Sequence, residues 1–146
     1  TPYLLPTEPI LVALKTVALA GVDVRIMIPE KSDSQAIHWG TLSYLSELME
    51  AGVKIYMYKK GFLHSKLMVS DDCLATVGST NMDFRSFESN FEINAFMYDR
   101  TSALKLKDVF LSDQKDAKLI HLGKWHMRPW SQKVKESVIR LFAPLL

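Results

Sequence analysis

Cysteine is almost missing from this chain. Cys73 is its single thiol, which excludes an internal disulfide framework and any multi-cysteine metal site. Nor does any apolar run approach the ~20 residues needed to cross a bilayer, and no signal-peptide pattern opens the chain. An excess of charge is lacking too: 18 Lys and Arg against 16 Asp and Glu leave a formal +2. That is too mild for a large nucleic-acid footprint, and no nucleic-acid partner is expected. No carboxylate cluster has metal-ligand spacing, so neither a metal nor another cofactor is implied. Repeats, low-complexity runs and linkers are absent, leaving one domain over 1–146. An initiator Met is also missing, and Thr1-Pro2-Tyr3 reads as a strand end running into a loop. The chain is therefore expected to be a segment of a longer protein. What is present is ordinary globular composition, 48% hydrophobic and 23% charged over 146 residues, enough to bury a core.

The periodicity predicts an α/β domain, a mixed sheet flanked by helices. Thr7 is placed to cap a helix with Pro9 in its first turn, and Ile10, Leu11, Leu14, Val17 and Ala18 give that helix an apolar face until Gly21. A strand follows over 22–29, then a helix entered through Ser32-Asp33-Ser34 with Ile37, Thr41, Tyr44, Leu45 and Leu48 on one side, then a strand over 53–58. Closely spaced strands are expected next, over 63–70, 73–77 and 90–98, with Asp71-Asp72 in a tight turn. A helix over 101–111 capped by Thr101 or Ser102, a short strand over 118–122 and a helix over 131–141 capped by Ser131 complete the reading. Cys73, placed in a strand, reads as a buried inert thiol.

Within this frame stands one run of chemistry-bearing residues: His64, Lys66, Asp71, Gly78, Ser79 and Asn81. Written as a spacing it is H-x-K-x₄-D-x₆-G-S-x-N, and it occurs once. Six fixed positions at background frequency coincide at roughly one start in 10⁷ to 10⁸, so chance is a poor explanation. His64 and Lys66, two apart on a predicted strand, leave the same face, while Leu63, Leu67 and Val69 turn to the core. Ser79 and Asn81 repeat that spacing beyond Gly78. An ammonium, a hydroxyl and a carboxamide suit the non-bridging oxygens of a phosphodiester, and an imidazole can either attack phosphorus or protonate the departing oxygen. It cannot easily do both in one step, because in-line displacement puts nucleophile and leaving group on opposite sides. His38, His121 and His126 lack a Lys two residues on and read as structural. The second imidazole must come from another half of a longer protein or from a second copy of this chain. Glu92, on the predicted strand over 90–98, is the candidate to orient His64. Asp71, seven residues beyond His64, falls past the strand end and is assigned a turn or structural role. Arg85-Ser86 is read either as a head-group contact or as a local charge pair with Asp83.

The run from His64 to Asn81 resembles the HKD motif of the phospholipase D superfamily, in which His64, Lys66 and Asp71 form the catalytic signature. Flanking phrases are similar to the second half of bacterial cardiolipin synthases: Gly21-Val22-Asp23-Val24-Arg25, Gly61-Phe62-Leu63-His64, Asn81-Met82-Asp83-Phe84-Arg85 and Asn90-Phe91-Glu92-Ile93-Asn94, with Leu141-Phe142-Ala143-Pro144 near the end. The resemblance implies a phospholipase D-like half-domain in which Ser79 and Asn81 bind phosphate and Glu92 hydrogen-bonds the histidine. It implies an enzyme that moves a phosphatidyl group between phosphatidylglycerol molecules through a phosphohistidine and releases glycerol. His64 is then the acid/base partner. A longer parent at the bacterial cell membrane is expected, anchored by helices upstream, with this segment itself soluble and inactive or nearly so alone. Two other readings are weighed: a phosphodiesterase or nuclease pairing two identical single-motif chains, and a non-catalytic half that only scaffolds or binds phosphate. The basic, aromatic C-terminal third (Lys105, Lys107, Lys115, Lys118, Lys124 and Arg128, with Trp125 and Trp130) is read as a solvated face over core tryptophans, with an anionic membrane surface as the alternative.

Overall fold

The structure, a computed structural model, describes residues 1–145. Its strands are β1 (Leu4–Leu5), β2 (Arg25–Pro29), β3 (Lys54–Tyr58), β4 (Leu67–Ser70), β5 (Leu74–Gly78), β6 (Met82–Asp83), β7 (Asn94–Met97) and β8 (Ala117–Leu119). Its helices are α1 (Glu8–Leu19), α2 (Gln35–Glu50), α3 (Phe84–Glu88), α4 (Arg100–Gln114), α5 (Leu122–His126) and α6 (Trp130–Arg140), with a closing 3-10 turn over Ala143–Leu145. The expected α/β class with mixed pairing is borne out. Hydrogen bonding divides the strands into three ladders: β2 and β3 parallel with β8 antiparallel, the antiparallel meander β4-β5-β7, and a parallel β1-β6 pair.

The unit β2-α2-β3 organises the core. Ser34 accepts the Ile37 amide at 3.5 Å and starts α2, whose Leu45 and Leu48 are wholly buried against Leu4, Leu5, Ile28 and Ile55. That α2 also buries Thr41, which accepts the Leu4 amide at 3.2 Å, ties β1 to the helix. Because β1 pairs with β6, this anchor fixes the chain immediately after Asn81. A separate helix, α4, packs on β4 and β5 and braces the meander that carries the site.

Several boundaries differ from the sequence reading, for local reasons. Thr7 stands at the α1 N-cap position but makes no side-chain cap bond. After α1, Gly21 takes φ +92° and the Val22 amide returns to the Val17 carbonyl at 3.1 Å, so the next strand starts at Arg25 rather than 22. Asp71 and Asp72 both have positive φ, 51° and 58°, which is the tight turn expected. That turn also takes up Cys73, whose thiol is exposed and not buried in a strand. Asp99, not Thr101 or Ser102, caps α4, accepting the amides of both residues at 3.2 and 2.7 Å. Pro129, not Ser131, occupies the N-cap position of α6. Helices α3 and α5, each five residues long, were not expected.

Candidate phosphate-transfer site

His64 and Lys66 lie in the extended segment just before β4 rather than within the predicted strand. They are nevertheless held side by side: Lys66 Nζ is 3.2 Å from His64 Nε2 and donates to the His64 carbonyl at 2.9 Å. The ring of Phe62 lies over the imidazole, with centroids 5.4 Å apart and planes tilted by 31°. The Lys66 carbonyl accepts the Gly78 amide at 3.1 Å, which carries the β4-β5 pairing one residue past the ladder and sets Lys66 opposite the start of Gly78-Ser79-Thr80-Asn81.

Gly78 is required by close approach. A Cβ there would overlap the Ile93 carbonyl and the side chain of Asn94, whose Cγ lies 2.6 Å from that position. The space taken by the missing side chain lets the segment before β7 lie along Ser79. The Ser79 amide donates to the Ile93 carbonyl at 3.0 Å, and the Ser79 hydroxyl accepts the Ile93 amide at the same distance while donating to Glu92. This exchange occupies 90–93, so β7 begins at Asn94 and not at 90. Asn94 in turn donates to the Thr80 hydroxyl.

Asn81 donates its backbone amide to Ser86 Oγ at 3.1 Å, and Ser86 is fixed by donating its own amide to the buried Asp83 carboxylate at 2.7 Å. This Asp83 cap starts α3. The same carboxylate was read as a partner for Arg85, and no Asp83–Arg85 ion pair occurs among the described residues. The carboxamide oxygen of Asn81 is buried without a hydrogen-bond partner among the described residues. The Asn81 NH2 group makes no hydrogen bond to the protein among the described residues and is the donor available to an anion.

The charges follow the same geometry. Burial pushes Lys66 below the ordinary lysine value, and the negative charges of Glu92, Asp83 and Asp33 act in the other direction. Glu92 is held below the usual glutamate range, first by the Ser79 hydrogen bond, with Asn90 and the Lys66 charge acting in the same direction. Asp33 accepts the Tyr3 hydroxyl at 2.8 Å, so the start of the chain borders the lysine. Lys66 thus touches His64 directly, Glu92 ties Ser79 to the lysine's charge, and Asn81 follows two residues after Ser79.

One expectation needs correction. Among the described residues Glu92 makes no hydrogen bond to His64. Its partners are Ser79 and Asn90, the latter at 3.3 Å. The cause is register: pairing of Ser79 with Ile93 brings residue 92 over the serine rather than the imidazole. Asp71 is at the far tip of the β4-β5 turn, where it accepts the Ser70 hydroxyl at 3.0 Å. Five residues of extended chain separate it from Lys66, roughly 16 Å. It takes the turn role that the spacing indicated and stands apart from Lys66, despite its place in the motif. Ser86, Asp83 and Phe62 were not singled out for positioning. The Asp-x-x-Ser cap after Asn81 was the available signal. No group of three or more His, Cys, Asp or Glu residues is placed to hold a metal among the described residues.

Comparisons with known proteins bear on the family and the fold. Residues 1–114 match the family model described as "Cardiolipin synthase, PLD-like domain". The whole chain is 49% identical to cardiolipin synthase 2 of Bacillus anthracis and 52% identical to a cardiolipin synthase of Geobacillus sp. (strain WCH70). It spans 28% and 29% of the lengths of those two relatives. Among solved structures, phosphatidylserine synthase of Haemophilus influenzae Rd KW20 superposes with a TM-score of 0.75 at 16% identity, over 100% of this chain and 40% of that one. Nuc of Salmonella typhimurium, a phospholipase D family member, superposes with a TM-score of 0.68 at 20% identity, over 82% of this chain and 78% of that one. With the motif intact, the fold shared and the family model matched across most of its length, this chain belongs to the phospholipase D-like domain family of cardiolipin synthases.

Proposed function

We propose that this chain is the second half-site of a longer phosphatidyltransferase of the cardiolipin synthase type, acting on phosphatidylglycerol at a bacterial membrane. The observation that carries the reading is the pairing of an imidazole and an ammonium at 3.2 Å, beside a hydroxyl and an uncommitted carboxamide. Lys66, Ser79 and Asn81 hold the non-bridging oxygens as charge redistributes over them. An imidazole of the other half attacks phosphorus, forming a P–N bond as the P–O bond to glycerol breaks. His64 gives its proton to that oxygen. The now neutral His64 then takes the proton from a hydroxyl of the second phosphatidylglycerol, whose oxygen displaces the histidine and forms the new P–O bond. Proton and phosphatidyl group are both accounted for, and His64 ends as it began.

The test is to join this segment to a second His-x-Lys half, supply phosphatidylglycerol and follow cardiolipin and free glycerol together. Both products are expected. His64→Ala is expected to lower turnover by about 10³-fold, within the usual range for removing a general acid–base. A variant that kept full turnover would end the assignment. Light scattering on the segment alone separates this reading from a single-motif phosphodiesterase, which requires a stable pair of copies.

A further inference from the structure

Helix α6 faces the wrong way for an ordinary surface helix. Its inward side is polar: Glu136 is 5% exposed and takes Arg128 on both oxygens at 2.8 and 3.1 Å. One turn on, Arg140 donates to Glu47 of α2 at 2.8 Å and lies 4.2 Å above the Tyr44 ring. The opposite side is apolar. Trp130, Val134, Val138 and Leu141 fall on one stripe at helical spacing, and Trp130 and Leu141 are 78% and 79% exposed. The buried Arg128–Glu136 pair fixes this orientation, so the helix cannot roll to hide the stripe without leaving Glu136 unpaired.

We propose that the outward stripe of α6, flanked on its two sides by Lys133 and Lys135 at helical spacing, is a membrane-docking surface that sinks into the interface of an anionic lipid bilayer. The choice of a bilayer as occupant rests on the phosphatidyl-transfer reading above and on charge. Residues 115–146 hold seven Lys and Arg against two Asp and Glu, whereas 1–114 hold eleven against fourteen. Of those seven, Arg128 and Arg140 are paired with Glu136 and Glu47, so the surplus is carried by five lysines against Asp116, which lies 3.4 Å from Lys60. An apolar stripe ending in tryptophan and flanked by lysines is the composition of a helix lying in the headgroup region. The stripe also leads toward the site. Past Leu141 the chain enters the turn over Ala143–Leu145, which packs on α3, the helix that begins three residues after Asn81.

Vesicle co-sedimentation of the chain tests this. Binding is expected to phosphatidylcholine vesicles doped with phosphatidylglycerol, weaker in high salt, with a blue shift of tryptophan emission that Trp130→Phe abolishes. Val134→Ser, Val138→Ser and Leu141→Ser together should lower partition at least roughly tenfold. Lys133→Gln and Lys135→Gln should each lower it roughly fivefold on the anionic vesicles only. These side chains are exposed, and circular dichroism checks that folding is retained. Should the triple variant misfold, the lysine variants and the Trp130 shift decide alone. Unchanged partition in the variants, or an emission spectrum that vesicles leave unmoved, overturns the proposal. So does a triple variant that dissociates an oligomer and binds vesicles normally, since the stripe is then covered by protein. Partition requires no turnover: His64→Ala should bind like the parent sequence, so a failure of the catalytic reading and a failure of docking are read separately.

Discussion

The Ser79 hydroxyl donates to Glu92 while accepting the Ile93 amide at 3.0 Å. The serine proton is thus spoken for, and on the proposed function a phosphoryl oxygen would have to compete for it with a carboxylate. Glu92 remains ionised because that same hydrogen bond favours its charged form. The carboxylate therefore sets how readily the hydroxyl can turn to substrate.

Ser79→Ala is expected to lower kcat by roughly 10²-fold in the assembled enzyme, the effect of losing one donor to developing charge. KM should change far less, because the donation strengthens as charge develops on the transferring group. Steady-state kinetics with phosphatidylglycerol provide the check. A loss confined to KM would place the hydroxyl in ground-state binding only.

Gly78→Ala is expected to destabilise the domain by about 1–3 kcal/mol, the usual range for forcing extra atoms into a packed site. The new methyl meets the Ile93 carbonyl, which is backbone and cannot turn aside, as well as Asn94. Relief requires the segment carrying Glu92 to move off Ser79, so stability and turnover should fall together. Urea melts of the variant provide the measurement, and an unchanged midpoint would contradict the packing described.

How much of this was legible beforehand depends on what each feature rests on. The βαβ start was readable because α2 carries its apolar face at helical spacing and Ser34 caps it. The motif residues were readable because their spacing is long and specific, and the structure sets Lys66 against His64 and its carbonyl against the Gly78 amide. Element boundaries near the site were not readable. The strand predicted over 90–98 is shortened by a long-range exchange between Ser79 and Ile93, which no local pattern announces. The partner of Glu92 was misplaced for the same reason, since a shift of register by one residue changes which side chain faces which. Trp130 was expected in the core beside Trp125. Only Trp125 is buried, its indole donating to Ser46 at 3.1 Å, because the inward face of α6 is set by charge pairing rather than by its apolar residues.

That pairing is itself testable. Arg128 lies 3.3 Å from the Trp125 ring centroid and takes both oxygens of Glu136, with side chains only 13% and 6% exposed. Glu136→Ala removes one partner and leaves a buried guanidinium, a change expected to destabilise by about 3–5 kcal/mol. Replacing both with apolar residues of similar volume should restore most of the loss. Denaturant melts of the single and double variants make the comparison. Equal stability of single variant and parent would mean that water already satisfies the arginine.

At the other end of the β2-β3 pair, Asp23 receives Arg25 at 2.9 and 2.6 Å and Lys54 at 2.7 Å. These hydrogen bonds, Arg25 first, hold its carboxyl at about 2, down from the ordinary 3.8. The sign follows from proton binding. The unfolded chain takes up the proton first as pH falls, so the contribution is complete above the ordinary value and disappears as pH drops toward about 2. Asp23 is 46% exposed, and solvent screening limits the effect to less than about 1 kcal/mol. Asp23→Asn should therefore lower stability slightly at neutral pH. The gap from the parent sequence should narrow between pH 3.8 and about 2, and shrink in high salt. Thermal melts of both proteins across that range measure it. A gap that stayed constant with pH would assign the loss to packing and not to charge.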